Sequence, residues 1–137
     1  MITLILGKKG SGKTKKLLDM CNEAVAQTKG NVVFIEKDTT LTYNLSHKVR
    51  LVAADEYAIR GFDNFYGYIA GMCAGNYDIT DIFVDSTLKI SGGIDGLLTF
   101  VEKLKALSDM ADTNVVMSVS ADPSEIPEEI AHLAREI

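Results

Sequence analysis

The 137-residue chain is 47% hydrophobic and 24% charged, the balance of one globular domain with mass enough for a single core. Its net charge of −5 is uneven: residues 1–30 hold six lysines against Asp19 and Glu23, and the remainder is acidic. Without a basic stripe beyond that lysine-rich start, nucleic acid is disfavoured as the main ligand. No apolar run approaches the about 18 residues of a membrane span and no signal-peptide layout is visible, so a cytoplasmic protein is expected.

In chain order, Ile2–Leu6 reads as a buried strand that runs into Gly7-Lys8-Lys9-Gly10-Ser11-Gly12-Lys13-Thr14. That octet fills every fixed position of G-x-x-x-x-G-K-[ST], the P-loop or Walker A pattern. Each position has a task. Glycines let successive N–H groups curl around a phosphate, Lys13 brings a charge to the β- and γ-phosphates, and the Thr14 hydroxyl can ligate Mg²⁺. The helix expected from Lys13 to about Thr28 points its positive dipole end at the same anion. Leu17, Leu18, Cys21, Ala24, Val25 and Thr28 recur on one of its faces, and Gly30 is placed to cap it.

Val32–Ile35 is an apolar run suited to a strand covered on both sides, with Glu36-Lys37-Asp38-Thr39-Thr40 as a polar loop at its end. A third strand is expected over Val49–Ala53, then a helix over Phe62–Ala74 burying Phe62, Phe65, Ile69, Met72 and Cys73, ended by Gly75-Asn76. Ile79–Asp85 is an apolar strand finishing on a carboxylate, interrupted by Asp81. A helix over Gly96–Met110 turns Leu97, Leu98, Val101, Leu104, Leu107 and Ala111 inward, and Asn114–Ser120 is the last strand. Asp122-Pro123-Ser124 makes a turn, and Pro127 opens a closing helix docked by Ile130, Leu133, Ala134 and Ile137. Cys21 and Cys73 read as small buried hydrophobes, without the paired spacing of a zinc site.

Alternating strands and helices predict an α/β three-layer sandwich with a mainly parallel sheet of about five strands. In such sheets the ligand lies outside the carboxyl ends of the strands. Gly7–Thr14, Glu36–Thr40, Asp85–Ser86 and Ser118–Ala121 should therefore ring one crevice. Four hydrophobic residues and then Asp describe a Walker B strand; here Asp81 interrupts the run before Ile82-Phe83-Val84-Asp85, and the Asp85 carboxylate would hold Mg²⁺ beside Thr14.

With Gly7–Thr14 and Asp85 together, the chain resembles the P-loop NTPase superfamily over nearly its full length, as a single nucleotide-binding domain spanning 1–137. It is most similar to the branch, including the RecA-like ATPases, in which another strand separates the Walker A and Walker B strands. The resemblance implies ATP and Mg²⁺ as ligands, a slow ATPase activity in an assembly, and self-association or a protein partner. It also implies a water-polarising glutamate, often directly after the Walker B Asp, where this chain has Ser86. In some members that glutamate ends the second strand, which points to Glu36; Asp55 and Glu56 are weaker candidates. Ser118 and Ser120 are placed to sense a γ-phosphate, and Arg50 or Arg60 to brace phosphate or reach into a neighbouring subunit.

Lys16-Leu17-Leu18 after the loop and Lys37-Asp38-Thr39 after the second strand also resemble the type II thymidine kinase core. That family has Asp-Glu where this chain has Asp85-Ser86, and a four-cysteine module this chain lacks, so only the architecture carries over. No Asn/Thr-Lys-x-Asp element is present, which favours ATP over GTP. Two other readings compete with the ATPase: a nucleotide-binding switch without turnover, and a small-molecule kinase using residues 37–60 as an acceptor wall. Lys13→Ala is expected to abolish triphosphate binding and leave the fold intact.

Overall fold

The computed structural model describes residues 1–38 and 45–137; Thr39 and Thr40 of the expected polar loop lie outside the described residues. Strands β1 (Ile2–Leu6), β2 (Asn31–Glu36), β3 (Val49–Ala53), β4 (Ile79–Val84), β5 (Asn114–Val119) and β6 (Ala134–Glu136) form one sheet in the order β3-β2-β4-β5-β1-β6. Every neighbouring pair is parallel, so all carboxyl ends emerge at one edge. β5 lies between β1 and β4, the intervening strand that the resemblance anticipates.

Helix α1 (Lys13–Gln27) covers one face of the sheet; α2 (Phe62–Gly75) and α4 (Leu97–Ala111) cover the other, with the short α3 (Thr87–Ser91) between them in sequence. Both faces are therefore apolar, and the strands read as continuous hydrophobic runs whose alternate residues serve different cores. Ile5, Val32, Phe34, Phe83 and Val116 meet Leu17, Leu18 and Cys21 of α1. Leu4, Leu6, Val33, Ile35, Val84 and Met117 face the other way, into the larger core with Phe65, Ile69, Leu104 and Phe100. Phe65 stacks on Phe100 with ring centroids 5.6 Å apart, tying α2 to α4; each such ring contributes about 1.5–3 kcal/mol of burial.

Both cysteines are free and buried, Cys21 in the α1-side core and Cys73 in the other. Burial pushes the Cys21 thiol up to about 12, with the Asp81 charge adding to the effect, and a thiol held protonated is a poor nucleophile. Neither cysteine should react with a thiol-specific disulfide reagent at neutral pH until denaturant is added, when both should react; stoichiometric labelling of the folded protein would contradict this burial.

Four features differ from the expectation. Glu36 is the last residue of β2 and buried, not part of a polar loop. Gly30 does not cap α1, which ends at Gln27; a side chain there would strike Asp78 O and Thr80, so the reason for glycine is close approach of the chain to β4. The C-terminal segment forms a 3₁₀ helix over Glu128–Leu133 followed by β6, not an α-helix. Ile130 docks as expected, whereas Ile137 is 56% exposed. Asp81 interrupts nothing at the site, because it sits near the start of β4 and accepts from Thr80 Oγ1 and Asn114 Nδ2 at the far end of the strand.

Candidate functional site

Strand register brings the polar residues level. Ile35 pairs with Val84 and Val84 with Met117, so Glu36, Asp85 and Ser118 lie side by side just past the apolar ends of three adjacent strands. By alternation they continue the row that includes Phe34, Phe83 and Val116, and so face the α1 side of the sheet. The amino end of α1 arrives on that same side, brought by the loop that leaves β1. Gly12, at φ +98°, makes the left-handed turn from the loop into α1 that a side chain would strain.

Thr14 and Asp85, 71 residues apart, meet there: Thr14 Oγ1 donates to Asp85 Oδ2 at 2.9 Å. The other carboxylate oxygen, Oδ1, accepts from Ser118 Oγ at 2.7 Å, and Ser118 Oγ accepts in turn from the Ser86 N–H at 2.8 Å. Asp85 is thereby held as an acceptor between two hydroxyls in a buried position. Ser118, offered above as a γ-phosphate sensor, has its hydroxyl engaged by Asp85 and Ser86. Ser120 is exposed and lines the adjoining cavity.

Lys13 is only 7% exposed. Its Nζ donates to Lys8 O at 2.8 Å. Desolvation lowers its pKa, and the nearby Asp85 charge partly opposes that. A buried ammonium has three N–H groups to satisfy, and the one hydrogen bond described for it leaves capacity for an anion.

Two cavities meet at Thr14, Asp85, Ser86 and Lys89. The larger, about 530 Å³, runs along Lys9, Gly10, Gly12 and Lys13 toward Ser118 and Ser120. The smaller, about 420 Å³, opens beyond the end of β2 at Glu36, Lys37 and Asp38. Of the residues expected to ring one crevice, part of the loop after β1, Glu36–Asp38, Asp85, Ser86, Ser118 and Ser120 line these two joined compartments, whereas Gly7, Lys8, Ser11 and Ala121 line another cavity.

The remaining candidates are placed elsewhere or otherwise engaged. Asp55 pairs with Lys37 at 2.9 Å, so each neutralises the other at the rim of the smaller cavity. Arg50 Nη2 donates to Tyr57 Oη at 3.4 Å on the edge strand, and neither it nor Arg60 lines either cavity. Glu56 is exposed. Lys89 lines both cavities and was not anticipated; its signal was only its position four residues after Asp85, within the short helix α3.

Ser86 adopts a left-handed backbone at φ +58° and caps α3 without a side-chain hydrogen bond. Ser86→Gly should relieve the Cβ clash and stabilise the protein by about 0.5–1 kcal/mol once the entropy cost of glycine is subtracted. Denaturant unfolding would read this, and a loss of stability would show that the serine side chain earns its place by a contact.

No family model matches the sequence, and no curated protein matches it. Among solved structures, the chain is similar to the flagellar accessory protein FlaH from Methanocaldococcus jannaschii, with a TM-score of 0.60 at 17% identity. The likeness covers 96% of this chain and 65% of FlaH, so the chain spans just under two thirds of that protein's length. At this identity the likeness shows the fold alone: an α/β architecture with a six-stranded parallel sheet between helical layers.

Proposed function

We propose that the chain is a P-loop protein that binds ATP with Mg²⁺ and hydrolyses it slowly. The observation that carries this reading is the convergence of a buried lysine, a threonine hydroxyl and a buried carboxylate on one glycine-turned loop at the carboxyl edge of a parallel sheet. The donor set suits the ligands. Lys13 is a desolvated cation with hydrogen-bonding capacity to spare, and a phosphate oxygen would supply both charge and acceptors. Thr14 Oγ1 and Asp85 Oδ2 are hard oxygens already in contact, the ligand type Mg²⁺ takes.

In this reading the loop backbone and Lys13 bind and orient the β- and γ-phosphates, and Thr14 and Asp85 hold the ion, directly or through water. When bound, Mg²⁺ would neutralise charge on the phosphate oxygens. Glu36, level with Asp85 and lining the adjoining cavity, orients the attacking water and takes its proton. A further cavity of about 340 Å³ on the other side of the loop, between Leu6, Ala121, Pro123 and Ile137, has room for the base.

Phosphate release from ATP by the purified chain tests the reading. The expected result is Mg²⁺-dependent release that falls about 100-fold in Glu36→Gln, with ATP binding retained. Binding without release above the spontaneous rate would favour the switch reading instead, which the serine at position 86 supports.

A further inference from the structure

The compartment at the end of β2 is much larger than hydrolysis requires. A water molecule occupies about 30 Å³ of liquid, whereas this cavity measures about 420 Å³ and opens directly on the Thr14–Asp85 pair. We propose that it binds a second substrate, a small hydroxyl-rich acceptor of the polyol or sugar class, to which the terminal phosphoryl group is transferred. The proposal rests on the nucleotide reading above, which puts the triphosphate in the adjoining compartment.

The lining defines the class. Glu36, Lys37 and Asp38 form one side, and the residues shared with the larger cavity form the other; none of the described lining residues is aromatic or aliphatic. Among the described lining residues a nucleobase would find no ring to stack on and no apolar wall, which favours a hydroxyl-rich acceptor over a nucleoside. Carboxylates accept hydrogen bonds and cannot donate them when ionised, so Glu36 and Asp38 suit an occupant rich in O–H groups. Lys37 is tied to Asp55 at 2.9 Å, which lessens the pull on an anionic acceptor. Lys89 stands at the boundary of the two cavities, beside the path between donor and acceptor.

The step balances with the two substrates alone. An acceptor hydroxyl oxygen attacks the γ-phosphorus and forms the new P–O bond. The bond from that phosphorus to the β,γ-bridging oxygen breaks, and its electron pair leaves on the nucleoside diphosphate. The hydroxyl proton goes to the Glu36 carboxylate, which is buried at the level of Asp85. Slow hydrolysis is then the same step with water in the acceptor's place.

The test incubates the chain with γ-labelled ATP and Mg²⁺ in the presence of glycerol, D-ribose or myo-inositol, with adenosine and thymidine for comparison. Calorimetric ATP binding is measured on the same samples. Label is expected in an organic phosphate from at least one of the three polyols and in neither nucleoside. Glu36→Gln should lower that transfer about 100-fold with the ATP Kd unchanged. Asp38→Asn, at the exposed lip of the cavity, should raise KM for the polyol about tenfold with kcat retained, which provides a second reading should Glu36→Gln unfold. Label confined to inorganic phosphate while ATP still binds would overturn this proposal alone, as would transfer to a nucleoside. Loss of ATP binding by the unaltered chain would remove the nucleotide reading together with this one.

Discussion

Lys13→Met is expected to raise the ATP Kd by about 100-fold or more, while the ligand-free protein stays folded and at least as stable. The two halves of this result have one cause. Lys13 is 7% exposed as a residue, desolvation lowers its pKa, and its Nζ makes its described hydrogen bond to Lys8 O, so the protein bears a cost for desolvating this cation. Methionine keeps the packed stem and removes the charge. In the liganded state the same charge would make one or two charge-assisted hydrogen bonds to phosphate, each worth about 1.5–3 kcal/mol, and about 2.7 kcal/mol is 100-fold in affinity.

The pH dependence follows from the sign of the Lys13 shift. Its pKa is lowered in the folded protein from the ordinary 10.5, so over the interval between the two values the unfolded chain binds more protons. The cost of the buried cation is present in full below that interval and fades as pH rises through it toward 10.5. The wild type should therefore gain stability relative to Lys13→Met as pH rises through that range. Parallel stability profiles for the two proteins would contradict the assignment of a desolvated ammonium.

Asp85→Asn should cost about 10–100-fold in Mg²⁺-assisted ATP affinity, the range seen when a carboxylate supporting a metal site is lost. Affinity measured without Mg²⁺ should hold or improve, because a negative charge facing the phosphates is gone. The opposite signs separate an ion-binding carboxylate from one that merely ends a strand. Asparagine is close in shape and can still accept from Ser118, so the fold should survive. Removing Asp85 also takes away the charge that favours protonated Lys13. The two substitutions should then be non-additive in a double-mutant cycle. Equal loss of affinity with and without Mg²⁺ would show that Asp85 acts through structure and not through an ion.

Much of this was legible in the sequence where pattern and chemistry are local. The strand from Ile2 to Leu6, the loop after it, and the helices around Leu17 and Leu104 carry strong periodicity, and the structure has them within one or two residues. Asp85 followed from its place after an apolar run. What escaped lacks a local signal. β6 is three residues, Ala134–Glu136, with no apolar run of its own; it is a strand only because β1 offers an open edge, and Ile130 and Leu133 at helical spacing suggested a helix there. α3 is one turn, too short for a periodic pattern. Phe100 joins the core beside Leu97, Val101 and Leu104 on a face wider than the stripe first drawn.

Glu36 shows the limit most clearly. It lies between strands β3 and β4, beside Ala53 and level with Asp85, which only the sheet register brings to it. One signal was nonetheless available. Val32, Phe34 and Glu36 have the same parity, as do Phe83 and Asp85, so a carboxylate continuing a buried row was readable once the strand was extended by a residue.

Isothermal titration calorimetry of ATP into the unaltered chain, with and without Mg²⁺, addresses the central claim most directly. Saturable binding at one site per chain, tighter with Mg²⁺ and lost in Lys13→Met, is the expected result. Heats of dilution alone for ATP under both conditions would contradict it.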